Sequence, residues 1–280
     1  MKKISRRSFL AAAGLTVAAL ALTACGGSAS TASSAAASSV AASSEAASTS
    51  AAAAELTTVE AGKLTMATNA TFPPYEMTTD AGEFEGIDIE TAQAIADKLG
   101  LELQIDDMDF DAALLSVQQG KADIVMAGVT VTDERKAVMD FSDSYATGIQ
   151  SIIVPEGSDI ASPDDLAGKK IGTQRGTTGY IYCSDDFGDE NVVAYDDGLT
   201  AVQALNNGQV DAVVIDNAPA KEFVAANPGL VILDTSYAEE DYAIGVAKGS
   251  SLKDAVNAAL EELKADGTLQ SIVDKYITAE

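Results

Sequence analysis

Two matching stretches of the chain decide its fold: Gly120-Lys121-Ala122-Asp123-Ile124-Val125-Met126-Ala127-Gly128 and Gly208-Gln209-Val210-Asp211-Ala212-Val213-Val214-Ile215-Asp216. In each, a helical pattern stops at the glycine, and an apolar run around the following aspartate predicts a buried strand. Eight residues beyond the glycine, the strand end delivers Gly128 in the first copy and Asp216 in the second. Ligands of open α/β sheets bind beyond the carboxyl ends of strands, so the two copies predict a shared cleft. The alternative is a chance similarity between two common βα units.

Strand and helix patterns alternate on both sides of these stretches, from Gly62 to Glu280. Regular alternation of this kind predicts an α/β fold with parallel sheets covered by helices on both faces. The 219 residues involved exceed one average domain, which favours two lobes. The predicted strands are 63–68, 101–105, 122–127, 170–173, 192–195, 210–215, 230–233 and 242–247.

Charge and composition exclude several classes of protein. The chain has 17 Lys+Arg against 43 Asp+Glu, a formal charge of −26, which becomes −30 without the four basic residues that precede Phe9. An acidic surface of this kind repels phosphate backbones, so we expect no nucleic-acid partner. The absence of His excludes imidazole bases and most zinc sites, and two Cys exclude a disulfide framework. The side chains that remain for acid or base chemistry are those of Asp, Glu, Lys, Tyr and Cys.

The N-terminus has the features of an export signal rather than of a folded domain. A basic stretch, Lys2–Arg7, precedes an apolar run that is too short to span a membrane. Leu22-Thr23-Ala24-Cys25 resembles the lipobox of bacterial lipoproteins, which implies a signal peptide over 1–24 and a lipid on Cys25. A secreted protein with an incidental Cys is the alternative. Ser5–Leu10 also resembles a twin-arginine motif, and export by that route or by the Sec route stays open.

A stretch rich in Ala and Ser follows the predicted lipid site. Of the 27 residues 28–54, 23 are Ala or Ser, too few large apolar groups to offset the entropy of ordering them. Residues 25–61 are therefore predicted to be a tether that holds a folded part, starting near Gly62, at the outer face of the cell membrane. We expect an extracytoplasmic location, with membrane contact through the lipid alone.

Six motifs spread over residues 62–280 resemble one family. That family comprises the amino-acid-binding proteins of ABC transporters, family 3 of the bacterial extracellular solute-binding proteins. The motifs are Ala127–Arg135, Phe141–Tyr145, Thr71–Tyr75, Gly86–Glu90, Gly176–Thr178 and Val210–Asp216.

The resemblance implies a two-lobed periplasmic-binding-protein fold, in which each lobe is a β-sheet flanked by helices. We expect lobe 1 to comprise 62–147 and 242–280 and lobe 2 to comprise 148–241, with hinge strands near Gly148 and Tyr242. It also implies a monomer that closes on a free amino acid and hands it to a membrane permease. We therefore expect a protein that is not an enzyme and has no catalytic residue, metal ion or cofactor. Two alternatives stay open: a domain that senses a ligand and acts on a receptor in trans, and a dehydratase-type enzyme on the same scaffold.

The resemblance also implies roles for individual residues. Arg135 pairs with the α-carboxylate of the ligand and Asp216 with its α-ammonium, while the backbone of Gly128 and Thr130 also binds. Phe72 and Phe110 line the side-chain pocket.

The chemistry of the residue types supports the charged assignments. A guanidinium holds a carboxylate through two parallel hydrogen bonds. The start of a helix at Thr177 offers further N–H donors to an anion. An ionised Asp216 accepts hydrogen bonds from an ammonium group.

Each of these residues also has a purely structural interpretation. Arg135 is alternatively a solvated helix charge neutralised by Asp133 or Asp140. Asp216 and Thr177 are alternatively helix caps, and the two phenylalanines are alternatively ordinary core residues.

Asn69 leads to a prediction about the ligand itself. It precedes the Phe-Pro-Pro-Tyr segment at the predicted end of the first strand, and the matching position in binders of basic amino acids is often Asp. An amide offers a donor and an acceptor but no charge, so a buried cation there would lack a counter-charge. We therefore expect an uncharged polar side chain, unless Glu76, Asp107 or Asp109 supplies the missing charge.

Overall fold

The computed structural model describes residues 56–277 of the chain. The predicted signal peptide, Cys25 and most of the predicted tether lie outside these residues. The chain already packs before the predicted start at Gly62: Leu56 contacts the core, and the Val59 N–H donates to Asp123 Oδ1 at 2.8 Å. None of the helices in the described range is long and apolar enough to cross a membrane.

The described residues alternate between strands and helices, with two short 3₁₀ helices at Pro163–Leu166 and Asp189–Asn191. The strands are β1 Lys63–Thr68, β2 Thr71–Phe72, β3 Glu76–Thr78, β4 Phe84–Glu85, β5 Glu102–Asp107, β6 Ile124–Val125, β7 Met139–Pro155, β8 Ile171–Gln174, β9 Val192–Tyr195, β10 Ala212–Asp216, β11 Leu230–Ile232 and β12 Ala238–Ala247. The helices are α1 Ile87–Leu99, α2 Phe110–Gln118, α3 Asp133–Val138, α4 Thr178–Phe187, α5 Gly198–Asn206, α6 Asn217–Ala226, α7 Leu252–Ala265 and α8 Thr268–Tyr276.

Within this range nine strands form a mixed sheet in the order β5-β1-β6-β12-β7-β10-β8-β9, with β11 beside β7. The remaining strands form a small antiparallel sheet in the order β2-β3-β4. β1 pairs in parallel with β5 and β6, and β8 pairs in parallel with β9 and β10. β7 and β12 are antiparallel to each other and to their other neighbours. The prediction of purely parallel sheets is therefore wrong. The chain crosses the sheet through β7 and returns through β12, and two crossings in opposite directions must be antiparallel.

The sheet carries two sets of helices, one on each side of the ribbon formed by β7 and β12, called here the connecting ribbon. Lobe 1 denotes β1–β6 with α1–α3, α7 and α8, and lobe 2 denotes β8–β11 with α4–α6. Each lobe has apolar cores of its own, and together these bury much of the aliphatic content of the chain. The lobe 1 cores include Leu64, Ile95, Ile124, Val125 and Leu260. Those of lobe 2 include Ile171, Leu205, Val213 and Phe223, and Ile153 of the connecting ribbon packs with them.

The predicted hinge positions lie inside the connecting ribbon. Gly148 pairs with Glu240, and Tyr242 pairs with Ala146 just before the register shifts at Ala243. A Cβ added to Gly148 would lie 2.4 Å from the buried ring of Tyr242, so the close approach of the two strands requires glycine here. The predicted lobe boundaries thus fall within two continuous strands rather than in loops.

The aspartate of the Gly-x-x-Asp motif makes the same kind of hydrogen bond in both lobes. Asp123 Oδ2 accepts the N–H of Thr65 at 2.8 Å, and Asp211 Oδ2 accepts the N–H of Lys170 at 2.7 Å. Each aspartate therefore fastens the start of its own strand to the first strand of its lobe. β6 is shorter than the predicted strand 122–127, because β12 pairs with it only at Ile124 and Val125.

Candidate functional site

The two lobes and the connecting ribbon line a partly open cavity, and the space inside it and at its mouth amounts to about 430 Å³. All eight residues predicted for the site line this cavity: Asn69, Phe72, Phe110, Gly128, Thr130, Arg135, Thr177 and Asp216. They come from the carboxyl ends of strands and from the starts of helices, as the position rule for α/β sheets predicts.

Arg135 is buried at the lobe 1 side of the cavity, on the short helix α3. Thr132 caps this helix by accepting the Arg135 N–H at 3.2 Å. The guanidinium donates to Thr130 O at 2.8 Å and to Gly176 O of lobe 2 at 3.2 Å, and it lies 5.4 Å from the centre of the Phe110 ring. Burial lowers the pKa of Arg135. A solvated helix charge, the structural alternative, is therefore wrong for this residue.

The carboxylates proposed to neutralise Arg135 in that alternative pair with lysines instead. Asp133 lies 3.8 Å from Lys136, and Asp140 lies 2.7 Å from Lys248. Within residues 56–277 the guanidinium has no carboxylate within salt-bridge distance. Its charge is therefore held by carbonyl oxygens and by an aromatic face.

The start of α4 faces Arg135 from lobe 2. Thr177 caps this helix: its hydroxyl accepts the Tyr180 N–H at 3.3 Å and donates to Gln174 O at 2.8 Å. The capping role of Thr177 is thus present, and the residue also lines the cavity. The N–H groups of Thr178 and Gly179 precede the first helical hydrogen bond, so the positive end of the helix points into this corner. Arg135 and the start of α4 together form a corner suited to an anion.

Asp216 lies across the cavity, at the end of β10. Its Oδ1 accepts the Ala218 N–H at 2.9 Å, which caps α6, and its Oδ2 accepts the Ile149 N–H at 2.7 Å. The capping interpretation therefore holds together with the position in the cavity. Burial raises the pKa of Asp216 to about 6, although these backbone donors act against the shift. The carboxylate is suited to a cationic partner, which would favour its ionised form.

Gly128 provides backbone rather than a side chain to the cavity. Its φ is +55°, and an added Cβ would lie 3.0 Å from the ring of Phe72 and 3.2 Å from that of Tyr242. The Gly128 N–H already donates to Asp88 Oδ2 at 3.0 Å. The backbone group that Gly128 can offer a ligand is therefore its carbonyl oxygen, an acceptor.

Asn69 joins the two lobes at another part of the cavity wall. Its Nδ2 donates to Met108 O at 2.9 Å, and its Oδ1 accepts from Thr71 Oγ1 at 3.0 Å and from Gln174 Nε2 of lobe 2 at 2.8 Å. Sequence reasoning missed Gln174, although it ends β8 and so obeys the rule that found Gly128 and Asp216. Two amide side chains, one from each lobe, therefore lie together in the cavity wall.

Two neighbouring carboxyl groups, those of Glu76 and Asp88, are buried at the cavity or next to it. Glu76 lines the cavity and is completely buried, and neither of its carboxyl oxygens receives a hydrogen bond from a described donor. Burial raises the pKa of Glu76 well above its ordinary value, and the nearby charge of Asp88 raises it further. Asp88 accepts the Tyr145 hydroxyl at 2.8 Å as well as the Gly128 N–H, yet burial raises its pKa to about 6. Burial therefore favours the neutral form of Glu76.

Comparison with known proteins identifies the relatives of this chain. The family model described as bacterial extracellular solute-binding proteins, family 3, matches residues 64–279. The chain belongs to this family. As a family 3 solute-binding protein it is a binding protein and not an enzyme.

Three similar proteins illustrate the relationship. The solute-binding protein is 34% identical over 226 residues to the L-cystine-binding protein TcyJ of Escherichia coli (strain K12), covering 79% of this chain and 85% of TcyJ. It is 33% identical to the arginine-binding extracellular protein ArtP of Bacillus subtilis (strain 168), covering 78% of this chain and 87% of ArtP. An ancestral arginine-binding protein bound to glutamine superposes with a TM-score of 0.75 and 42% identity, covering 79% of this chain and all of that one.

Several residues of the cavity of this solute-binding protein escaped the sequence analysis. Some are apolar residues of strand ends, which carry no chemical signal of their own, whereas Gln150 and Tyr242 lie in the connecting ribbon, whose length was not predicted. Thr178 was noticed as part of a motif but was not assigned to the site. The residues concerned are Ala127, Gln150, Gln174, Thr178, Val214, Ile215 and Tyr242. In the described range no cluster of His, Cys, Asp and Glu is arranged to hold a metal ion.

Proposed function

We propose that this solute-binding protein binds a free L-amino acid between its lobes and delivers it to an ABC transporter permease at the outer face of the cell membrane. One observation carries the proposal: a buried cationic corner, Arg135 with the start of α4, lines the same cavity as a buried carboxylate, Asp216. A zwitterion is the small solute that satisfies both. The relatives named for cystine and arginine support this class of ligand.

In this proposal each end of the zwitterion has its own set of partners. The α-carboxylate receives hydrogen bonds from Arg135, from the Thr130 N–H and from the first N–H groups of α4. The α-ammonium donates to Asp216 and to the carbonyl of Gly128. The side chain of the ligand then passes between Phe72 and Phe110 toward the amides of Asn69 and Gln174.

Binding and closure are coupled because partners of the ligand belong to different lobes. Arg135 and Asn69 already reach across the cleft to Gly176 and Gln174. An amino acid that contacts both lobes binds the closed form more tightly than the open form and so shifts the population toward closure. Rotation about the connecting ribbon is the proposed motion.

We propose an uncharged polar side chain as the first candidate for the ligand. Asn69 and Gln174 both present amide groups, which pair with another amide without any net charge. Glu76, whose pKa is raised well above its ordinary value, adds a neutral carboxyl rather than a negative charge. Glutamine has the matching chemistry, and it is the ligand in the ancestral relative.

A cationic side chain is the second candidate, favoured by the buried acids. Glu76, Asp88 and Asp216 are all buried around the cavity, and Arg135 is the one cation among the described residues that line it. A guanidinium or ammonium group near Glu76 would stabilise its ionised form, and the proton of the neutral carboxyl would then be released to solvent. ArtP, named for arginine, belongs to this group of relatives.

Calorimetry with glutamine, arginine and lysine separates the two candidates. Tight binding of glutamine alone supports the uncharged ligand, and Asn69→Asp is then expected to shift preference toward arginine and lysine. Tight binding of arginine or lysine by the unchanged protein contradicts it. Glu76→Gln, which keeps the shape of the side chain, should retain glutamine binding but weaken arginine binding. If none of the twenty amino acids binds, the proposed function as a whole is contradicted.

The membrane anchor is proposed separately, because Cys25 lies outside the described residues. Cys25→Ser should release the protein from the membrane fraction and leave the affinity for the amino acid unchanged, since the tether is remote from the cavity. Fractionation of membranes against soluble protein, with Cys183→Ser as the matched control, tests this. Unchanged membrane association of the Cys25 variant would contradict the lipid anchor.

A further inference from the structure

Glu240 is a buried carboxylate in the connecting ribbon that none of the roles described so far uses. It lies on β12 opposite Gly148 and is 7% exposed. Its Oε2 accepts three hydrogen bonds: from Thr178 Oγ1 at 2.9 Å, from Gln150 Nε2 at 3.0 Å and from Thr130 Oγ1 at 3.1 Å. Hydrogen bonds to a buried carboxylate are among the stronger ones in proteins.

The donors to Glu240 come from three different parts of the molecule. Thr130 precedes α3 in lobe 1, Thr178 is the first residue of α4 in lobe 2, and Gln150 lies on β7 of the ribbon. The two threonine hydroxyls are 3.4 Å apart, so a single carboxylate oxygen connects the two lobes at this point. Opening of the cleft would separate Thr130 from Thr178, and Glu240 could then retain only one of them.

Both threonines also carry backbone groups of the cationic corner. The Thr178 N–H belongs to the open start of α4, and the Thr130 carbonyl holds the Arg135 guanidinium at 2.8 Å. No described residue accepts a hydrogen bond from the Thr130 N–H. Glu240 therefore lies behind the corner and holds the two residues that form its opposite walls.

We propose that Glu240 is a positioning residue that fastens Thr130 of lobe 1 to Thr178 of lobe 2, so that the closed cleft presents their backbone N–H groups to the ligand's α-carboxylate. The effect on the ligand rests on the proposed amino-acid binding, whereas the fastening of the lobes does not. A threonine hydroxyl has one hydrogen, and both Thr130 and Thr178 donate theirs in the hydrogen bond to Glu240. The α-carboxylate is then held by N–H groups and by Arg135 rather than by the hydroxyls.

The charge of Glu240 has a second consequence for the same corner. Arg135 has no carboxylate partner at salt-bridge distance in the described part of the chain, and burial acts against its charged form. The negative charge of Glu240 is the largest of the nearby influences that oppose this effect of burial. The same carboxylate thus holds the walls of the corner and supports the cation between them.

Three variants test the proposal in the full-length protein. Glu240→Leu keeps a side chain of similar size but removes the acceptor, Glu240→Gln keeps one acceptor oxygen, and Thr178→Val removes the lobe 2 hydroxyl but keeps its N–H. Each is combined with nitroxide labels on Leu115→Cys of α2 and Ile181→Cys of α4, two exposed positions in different lobes. The background carries Cys25→Ser, and a sample without the two introduced cysteines controls for labelling at the buried Cys183.

The distances between the labels are measured without and with ligand, and affinities are measured for glutamine, arginine and their α-amides. We expect Glu240→Leu to shift the ligand-free distances to longer values and to weaken the binding of the amino acids about tenfold or more. The α-amides, which lack the carboxylate, should lose much less. Glu240→Gln should have label distances close to those of the unchanged protein and most of its affinity, because the amide oxygen still accepts hydrogen bonds from the two threonines. If the negative charge alone mattered, Glu240→Gln would behave like Glu240→Leu.

Two outcomes would overturn the proposal. One is a Glu240→Leu protein with the distances and affinities of the unchanged chain, and the other is an equal loss for amino acids and α-amides. Where Glu240→Leu fails to fold, Thr178→Val gives the same comparison, and normal distances and affinities in that variant also overturn the proposal. If the unchanged protein binds no amino acid, the proposed function fails, and the ligand-free distances still decide whether Glu240 fastens the lobes.

Discussion

The two lobes use the same motif to build the sheet but deliver different chemistry at its edge. Asp123 in lobe 1 and Asp211 in lobe 2 each accept a backbone N–H from the first strand of their lobe or from the residue before it, Thr65 and Lys170. Beyond the following strands, lobe 1 presents the backbone of Gly128 and lobe 2 presents the carboxylate of Asp216. The aspartate inside the motif is therefore part of the scaffold, and the residue that ends the strand is free to serve the site.

The aspartates of the two motifs differ in burial and in the number of backbone N–H groups that they accept. Asp123 is 5% exposed and accepts N–H groups from both Val59 and Thr65, whereas Asp211 is exposed and accepts one. Lobe 1 thus depends on its aspartate more than lobe 2 does. The site residues differ in another way, because Arg135 and Asp216 are of opposite charge and lie in different lobes.

The largest expected effect concerns the charged residues of the site. Arg135→Ala and Asp216→Asn should each weaken amino-acid binding by about 2–5 kcal/mol, as expected when one member of a desolvated charge pair is removed. Asn at 216 keeps an oxygen for the cap of α6, so its effect reports on the charge rather than on folding. Calorimetric titration with the ligand found for the unchanged protein measures both.

Arg175→Ala is the matched control for Arg135. This arginine is exposed, pairs with Asp196 at 3.3 Å and is not among the residues that line the cavity. Its removal should change the affinity less than threefold, within the range of exposed ion pairs. If Arg135→Ala behaves like Arg175→Ala, the assignment of the α-carboxylate to Arg135 is wrong.

The next largest effect compares the two scaffold aspartates. Asp123→Ala leaves two backbone N–H groups without their acceptor and should reduce the free energy of unfolding by about 2–4 kcal/mol. Asp211→Ala exposes one N–H group to water and should cost about 1 kcal/mol or less. Urea unfolding of the ligand-free protein measures the difference. Equal losses would show that burial does not distinguish the two copies.

The last comparison concerns the dependence of stability on pH. The pKa values of Asp88 and Asp216 are raised by burial to about 6, against 3.8 for an ordinary aspartate. Between these values the folded chain binds more protons than the unfolded chain, so stability falls as the pH rises from about 4 to about 6. The slope is at most about 1.4 kcal/mol per pH unit for each group.

Thermal unfolding of the ligand-free protein between these pH values measures that slope. Asp88→Asn retains an oxygen for Gly128 and Tyr145 but cannot titrate, so its slope should be shallower. Asp133→Asn, at a side chain that is 97% exposed, is the control for the loss of one negative charge. A slope that Asp88→Asn leaves unchanged would contradict the contribution of Asp88.

The sequence alone determined the fold class and eight residues that line one cavity. Periodicity and glycine stops predicted most helices and strands, because these depend on neighbours a few residues away. The strand-end rule and the family resemblance together found eight residues that line one cavity. These residues were identifiable because strand ends and helix starts must meet at the same edge of a sheet.

Only the tertiary structure decided which groups meet across the lobes and in which state of charge. The 17-residue strand β7 was not predicted. The antiparallel ribbon that it forms with β12, and the position of Glu240 between Thr130 and Thr178, were therefore not predicted either. Glu76 was predicted as one of three sources of charge, but its complete burial beside Asp88 depends on the packing of α1 against β3. Burial and the approach of distant side chains set pKa values and hydrogen bonds, and neither is encoded in the spacing of residues along the chain.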